Sequence, residues 1–307
     1  MNLARFFALP FSILLVTSCK PAPQVGGSVS SASGGKPVVY VANYPLKYFA
    51  ERIGGNLINV KFPAPADEDP AFWTPTDADV SAFQQASVIL MNGATYSKWA
   101  DKVTLPATKV VDTSASFKSA FIETKSDVTH SHGPAGDHSH SGTAFTTWID
   151  FNQAAAQALT VREALAKLLP KEAVTLDANL AKLSEELRTL DERMKVVGKR
   201  MNNQPVMASH PVYQYFARRY GISLQAVLWE PETVPDDKAI GDLQSILAKH
   251  PAKWMIWEGE PAKESVAKIQ ALGLQSVVFA PSGNVPDEGD FLTVMQANVA
   301  AMEKAFP

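Results

Sequence analysis

Apolar and polar positions follow two rhythms along this chain, each in its own stretch. Short β-branched and apolar runs at 38–42, 57–62, 88–91 and 109–111 read as strands. Helix-like segments at 45–53 and 76–85 fall between them, the first closed by Gly54-Gly55. The alternation returns with strand-like runs at 206–208, 224–228, 254–257 and 276–279 and helices starting near Pro211, Asp236 and Pro261. Strands that alternate with helices build βαβ units. The pattern therefore predicts an α/β fold with two lobes, each a mostly parallel sheet flanked by helices. Between the halves, Leu176, Leu180, Leu183, Leu187, Leu190, Met194, Val197 and Met201 are spaced alternately four and three apart, which puts them on one helix face. Such a helix spans roughly 40 Å at 1.5 Å per residue. A coiled-coil dimer would use this face. Packing across both lobes is preferred, because the run is only about four heptads and sits inside a globular pattern. One long connecting helix is stiff and limits hinge motion. The expected division is an N-terminal lobe at 37–150, connecting helices at 151–203 and a C-terminal lobe at 204–307.

The first residues read as a targeting signal. Arg5 precedes an apolar stretch over 6–16, too short to span a bilayer and suited to a signal-peptide core. It ends in Leu15-Val16-Thr17-Ser18-Cys19, which looks like a bacterial lipobox. Residues 1–18 are then removed and Cys19 is lipidated, which places the protein on the extracytoplasmic (periplasmic) face of a membrane. Residues 19–36, rich in Pro, Gly, Ser and Ala, read as the lipidated cysteine and a flexible tether. The chain holds 1 cysteine, so the mature fold offers neither an internal disulfide nor a thiolate metal site beyond Cys19. Lys and Arg total 28 against 31 Asp and Glu, a formal net charge of −3, which leaves no basic field for nucleic acid or anionic lipid.

The stretch Pro205-Val206-Met207-Ala208-Ser209-His210-Pro211-Val212-Tyr213-Gln214-Tyr215-Phe216 carries the sharpest chemistry. A short apolar run ends in Ser-His-Pro and a helical segment follows, so an imidazole stands at a strand's carboxyl end, where open α/β sheets keep their ligand clefts. Taken alone, His210 is as readily a helix cap or a satisfied core histidine. Other segments add context. They are Val41-Ala42-Asn43-Tyr44-Pro45-Leu46, Asp69-Pro70-Ala71-Phe72-Trp73-Thr74-Pro75-Thr76-Asp77, Ser87-Val88-Ile89-Leu90-Met91-Asn92-Gly93 and Trp148-Ile149-Asp150. In this order the segments resemble the metal-specific solute-binding proteins of ABC importers, the zinc/manganese family. The resemblance covers essentially the whole mature chain. It implies a lipid-tethered, monomeric binding protein that captures Zn²⁺, or Mn²⁺ as the other candidate, and delivers it to an ABC permease without catalysis. It also implies that His210 is a metal ligand.

The other ligand positions of that family are changed. Ala71 stands where a His is usual in the first loop, Thr146 where a His precedes the Trp of the second, and Ala280 where an Asp follows the last strand. Alanine has no donor atom, and a threonine hydroxyl is a poor zinc ligand. Carboxylates are the available replacements. Glu68 and Asp69 precede the altered first loop, Glu258 and Glu260 follow the run at 254–257, and Glu230 and Glu232 follow the run at 224–228. Each alone reads equally as a solvated loop carboxylate. Glu68, Asp69 and Glu258 are taken as the replacements beside His210. His130, His132, His138 and His140 lie in a Gly-, Ser- and Asp-rich loop at 129–141, where zinc members often carry a His-rich insertion, and read as an accessory metal collector. Trp73, Trp148, Trp229 and Trp257 fall near strand ends and either pack between the lobes or line a pocket for an organic ligand. Two alternatives stay open: a family member with an altered cleft that binds a non-metal ligand or has lost tight metal binding, and a hydrolase using Ser209 or a metal at His210.

Overall fold

The computed structural model describes residues 35–124, 129–131, 137–139 and 142–307, and nothing is said of side chains at 129–131 and 137–139. The first half opens with β1 (Val38–Val41), α1 (Tyr44–Gly54), β2 (Asn59–Lys61), α2 (Asp77–Gln85), β3 (Val88–Met91) and β4 (Val110–Asp112). All pairings among these strands are parallel, in the order β2-β1-β3-β4. The strand β3, Val-Ile-Leu-Met, is buried at every position, as a central strand covered on both faces must be. Short antiparallel pairs follow: β5 (Glu123–Thr124) with β8 (Gly142–Thr143), and β6 (Thr129–Ser131) with β7 (Asp137–Ser139).

Two long helices come next, α3 (Phe151–Leu168) and α4 (Ala173–Met201). The second half then repeats the first: β9 (Val206–Ala208), α5 (Gln214–Tyr220), β10 (Leu224–Ala226), α6 (Asp237–Leu247), β11 (Trp254–Trp257), α7 (Lys263–Ala271) and β12 (Gln275–Val278), closed by α8 (Phe291–Ala305). Its sheet is again parallel, in the order β10-β9-β11-β12. In both sheets the chain steps to one neighbour of its first strand and then crosses to the other side. The topological switch points therefore lie between β1 and β3 and between β9 and β11.

Local chemistry sets the helix ends. Asn43 caps α1 by accepting from the Leu46 N–H, Thr76 and Asp79 form a reciprocal capping box on α2, and Asp150, Asp236 and Asp290 cap α3, α6 and α8. The left-handed Asn202 (φ 47°) ends α4 and Gly221 (φ 67°) ends α5. The strand-like runs at 57–62 and 224–228 are longer than the strands β2 and β10 they contain, because the regular parallel register covers only the shorter spans. The helix expected near Pro211 begins at Gln214: Val212 N–H donates to the His210 carbonyl at 3.0 Å and holds 210–213 in a turn.

The heptad-like face does what its spacing predicts. Leu176, Leu183, Leu187, Leu190, Met194, Val197 and Met201 on α4 are at most 2 % exposed, and Leu180 packs against the same cluster. That cluster also holds Val39, Val41 and Leu90 of the first sheet and Val206, Ala208 and Ile256 of the second. The two halves thus share one hydrophobic core, with α4 as its spine, and Lys36–Pro307 form one compact unit. Ion pairs fasten α4 to its neighbours: Arg52 to Glu186 at 2.6 Å, Arg193 to Glu303 at 2.7 Å and Arg219 to Asp191 at 2.7 Å. Among the described residues, no helix is long and apolar enough to cross a membrane.

Candidate metal centre

The site grows out of three neighbouring strand ends in the second sheet. Past β9 the ladder continues for one residue, with Ser209 N–H donating to the Ile256 carbonyl at 2.8 Å, and His210 comes next. On one side, the chain beyond β10 stays alongside: Val227 N–H donates to the Ala208 carbonyl at 3.0 Å and Trp229 N–H to the Ser209 carbonyl at 2.7 Å. Glu230 therefore arrives beside His210. On the other side, Glu258 is the first residue after β11. Trp229 and Trp257, each preceding one of these glutamates, are buried with ring centroids 6.3 Å apart and anchor both backbones.

His210 is 1 % exposed, and its Nδ1 lies 3.3 Å from Glu258 Oε1 and 3.6 Å from Glu230 Oε1. One donor atom from each of the three residues lies within 4.8 Å of the others. Donors about 2.0–2.2 Å from a tetrahedral zinc stand roughly 3.3–3.6 Å apart, so the two distances match the edges of such a polyhedron. Charge points the same way. Burial, and then the neighbouring Glu230, Asp69 and Glu232 carboxylates, push the Glu258 carboxyl well above the usual carboxylate range. A divalent cation between Glu230, Glu258 and a neutral imidazole would relieve that repulsion.

The cluster opens on a cleft of about 400 Å³ whose walls come from both halves. Glu230, Glu232, Glu258 and the 281–284 loop face Asp69, Tyr96, Phe145, Thr146 and Trp148. The halves are laced together here. Trp148 Nε1 donates to the Pro281 carbonyl at 2.7 Å, Tyr44 N–H to the Gly283 carbonyl at 3.0 Å, and Asn284 Nδ2 to the carbonyls of Pro65 at 2.7 Å and Glu68 at 2.8 Å.

The structure thus brings His210 and Glu258 together and adds Glu230, which the sequence places at a strand end without separating it from Glu232. Asp69 lines the cleft but stands outside the cluster, and its Oδ1 accepts from the Ala71 N–H at 2.9 Å. Glu68 is not among the cleft-lining residues; its carbonyl serves as the Asn284 acceptor. Of the altered positions, Ala71 is 2 % exposed, Thr146 lines the cleft, and the Ala280 backbone is held on both sides by Asn298. Ser209 Oγ is buried with no hydrogen-bond partner, so no serine–histidine dyad forms. Trp73 packs on Trp99 at 6.2 Å, and of the four tryptophans only Trp148 lines the cleft. In the histidine loop, the backbone pairs His130 opposite His138. His132, His140 and Cys19 lie outside the described residues.

The first half carries the same device with different chemistry. Val41 pairs with Leu90 as Ala208 pairs with Ile256, so Asn43 and Asn92 hold the places of His210 and Glu258. Asn43 Nδ2 donates to Asn92 Oδ1 at 3.1 Å, Gln157 Nε2 to the same oxygen at 3.1 Å and to Thr113 Oγ1 at 3.0 Å, and Thr147 Oγ1 to Gln157 Oε1 at 3.0 Å. That switch point is closed by a buried neutral network, whereas its counterpart is charged and opens on the cleft.

Comparison with known proteins gives consistent results. The family model described as zinc-uptake complex component A, periplasmic, matches residues 39–305. The zinc-binding protein AdcA of Streptococcus pyogenes serotype M3 is 24% identical over 290 residues, covering 87% of this chain and 56% of AdcA. The chain therefore spans little more than half the length of that relative. The manganese ABC transporter substrate-binding lipoprotein PsaA of Streptococcus pneumoniae is 26% identical over 245 residues, 75% of this chain and 71% of PsaA. Among solved structures, the metal-dependent lipoprotein YcdH of Bacillus subtilis superposes with a TM-score of 0.74 at 17% identity, over 88% of this chain and 98% of its own, which shows the shared fold.

Proposed function

The chain belongs to the family of periplasmic zinc-uptake component A proteins, and from that premise we propose that it captures a divalent metal outside the cytoplasm and passes it to an ABC permease. The cargo is Zn²⁺, with Mn²⁺ second. The observation that carries this reading is the buried His210 with Glu258 and Glu230 at tetrahedral-edge distances. One imidazole nitrogen and two carboxylates balance a divalent charge, and a borderline ion such as zinc accepts both donor types. The family match makes the non-metal alternative the less favoured one. The protein's task is binding and release.

The site works in a frame that barely moves. Its three donors stand just past the ends of adjacent parallel strands of one sheet, so their spacing does not depend on closure of the two halves. The direct test is calorimetry and native mass spectrometry of the untagged protein with Zn²⁺, compared with His210→Ala. Loss of one tight zinc equivalent in the variant supports the reading. Equal stoichiometry and affinity in both proteins would remove the cleft as the site.

Three further parts belong to this proposal. The histidine loop (His130, His132, His138, His140) is a fast, weak accessory collector, and deleting residues 130–140 should remove a weak zinc phase only. Cys19 is the lipid anchor, supported by the Leu15–Cys19 sequence and by relatives named as lipoproteins. Membrane attachment that survives Cys19→Ala would exclude it. The chain is taken to act as a monomer, a reading supported by the burial of the α4 face, which removes the coiled-coil dimer the spacing alone allowed.

A further inference from the structure

We propose that Asn284 is a positioning residue that sets how fast metal enters and leaves the cleft. It pins the 65–69 segment of the first half across the cleft mouth, and the ion exchanges when that pin lets go. This rests on the metal-capture reading above and adds its exchange step. The cluster stands in the second half, with the Glu230 and Glu258 side chains 27% and 20% exposed, so a bound ion faces the open cleft. The rim of that cleft comes from both halves, with Asp69 and Pro70 on one side and the 281–284 loop on the other. Asp69 is exposed while Pro70 is buried, which places the 65–69 segment at the mouth.

The two sides of the rim differ in how firmly they are built. The 281–284 side is tied to rigid elements. The buried Trp148 donates from Nε1 to the Pro281 carbonyl, and the Tyr44 N–H at the start of α1 donates to the Gly283 carbonyl. The 65–69 segment belongs to the connection between β2 and α2, which has no helix or strand of its own. Packing fixes its flanks, Ala64 against the cluster of Phe83 and Trp99 and Ala71 in the main core. Between these flanks Ala66, Asp67 and Asp69 are exposed, and the internal turn bond from Glu68 N–H to the Pro65 carbonyl is long at 3.4 Å. Short exposed segments with few apolar contacts open at low free energy.

Asn284 holds the middle of that segment with one side chain. Its Nδ2 donates to the carbonyls of Pro65 at 2.7 Å and Glu68 at 2.8 Å, with the Ala66 carbonyl at 3.3 Å as a weaker third acceptor. A side-chain amide carries two N–H donors, so the two short contacts are the bonds that count. Its Oδ1 accepts from the Val285 N–H at 2.7 Å, which turns the donors toward the segment. While these bonds hold, the segment stays over the mouth. When they break, it swings between Ala64 and Ala71, and the 281–284 side stays where Trp148 and Tyr44 hold it. The opening is local and leaves the shared core around α4 untouched. A gate open for a small fraction of the time slows entry and release by the same factor and leaves the affinity unchanged.

The test uses the untagged full chain and Zn²⁺ alone. Stopped-flow mixing reads zinc entry, and mixing with excess chelator reads release. The cleft phase is the one missing in His210→Ala. Asn284→Ala removes the pin, and Asn284→Leu removes its donors while keeping bulk and adding no charge. Both variants should speed entry and release alike by about five- to thirty-fold, the scale of two net hydrogen bonds, with the zinc dissociation constant held within about two-fold. In the metal-free protein, amide hydrogen exchange over residues 65–73 should quicken in both variants while β9 and α4 stay protected. Unchanged zinc rates in the variants would overturn the pin and leave the metal-capture reading intact. Faster release with affinity weakened in proportion would overturn it too, because the segment would then hold the ion rather than gate it. An effect in Asn284→Ala that is absent in Asn284→Leu would overturn the hydrogen-bonded pin in favour of simple packing. Absence of any zinc phase that depends on His210 would overturn both the pin and the metal-capture reading.

Discussion

Glu258→Gln separates a metal ligand from a structural carboxylate, because the two roles predict opposite changes in stability. The substitution keeps the shape of the side chain and removes its charge. Glu258 is one-fifth exposed and shares the cleft with Glu230, Glu232 and Asp69. Burial first, and then those carboxylates, raise its folded-state value above the unfolded one. Its ionised form therefore opposes folding once pH rises above the ordinary carboxylate range. Without metal, Glu258→Gln should melt no lower than the wild type at neutral pH, and its advantage should vanish below about pH 4, where Glu258 carries its proton in both states. With metal the order reverses. Outer-shell changes typically cost 10- to 100-fold in metal affinity, so losing a direct donor should cost at least about 100-fold. At zinc 100-fold above the wild-type dissociation constant, binding stabilises the wild type by about 2.7 kcal/mol, or about 5–10 °C in Tm for a chain of this size. The variant at the same zinc concentration retains only about 0.4 kcal/mol, a shift of about 1 °C. Differential scanning calorimetry with zinc and with chelator reads both quantities. A variant with the full zinc-induced shift would show that Glu258 is not a donor; a large loss of Tm without metal would show that its role is structural.

Three other outcomes test the frame. Asp191 is 5 % exposed; burial pulls its carboxyl upward, but hydrogen bonds from Arg219 and Lys195 outweigh this and hold it below the usual range, so it stabilises the fold above about pH 4 and loses that effect as pH falls further. Asp191→Ala should cost about 3 kcal/mol by urea unfolding at pH 7, and a change under about 0.5 kcal/mol would refute the pairing with Arg219. Gly198→Ala should destabilise by about 1–3 kcal/mol despite alanine's helix propensity, because the added Cβ would stand 2.1 Å from the Tyr220 carbonyl oxygen where α4 meets α5; a raised Tm would contradict that contact. Small-angle scattering should give nearly the same radius of gyration with and without zinc, since one core runs through α4 into both sheets, and a contraction of several ångströms would refute the stiff frame.

Much of this architecture was legible in the sequence, because its signals are local. Short apolar and β-branched runs marked the strands, the segments between them the helices, and the four-three spacing from Leu176 to Met201 marked one long helix whose apolar face is buried as expected. The Ser209-His210-Pro211 turn after an apolar run placed an imidazole at a strand end. Three alterations, Ala71, Thr146 and Ala280, could be read only against the family pattern that the sequence resembles. Which carboxylates meet that imidazole was a different kind of question. Parallel strands pair over long sequence separations, and the register decides which residue after each strand faces which. The pairings Ala226 with Ala208 and Ile256 with Ala208 bring Glu230 and Glu258 to His210. In the first loop, the Asn284 hydrogen bonds engage the Glu68 backbone, while Asp69 stays at the cleft rim. Nothing local distinguishes Glu230 from Glu232, or Glu258 from Glu68. The residues in sequence carry the candidate donors, and only the pairing of the sheet and the packing of the two halves decide which of them stand together.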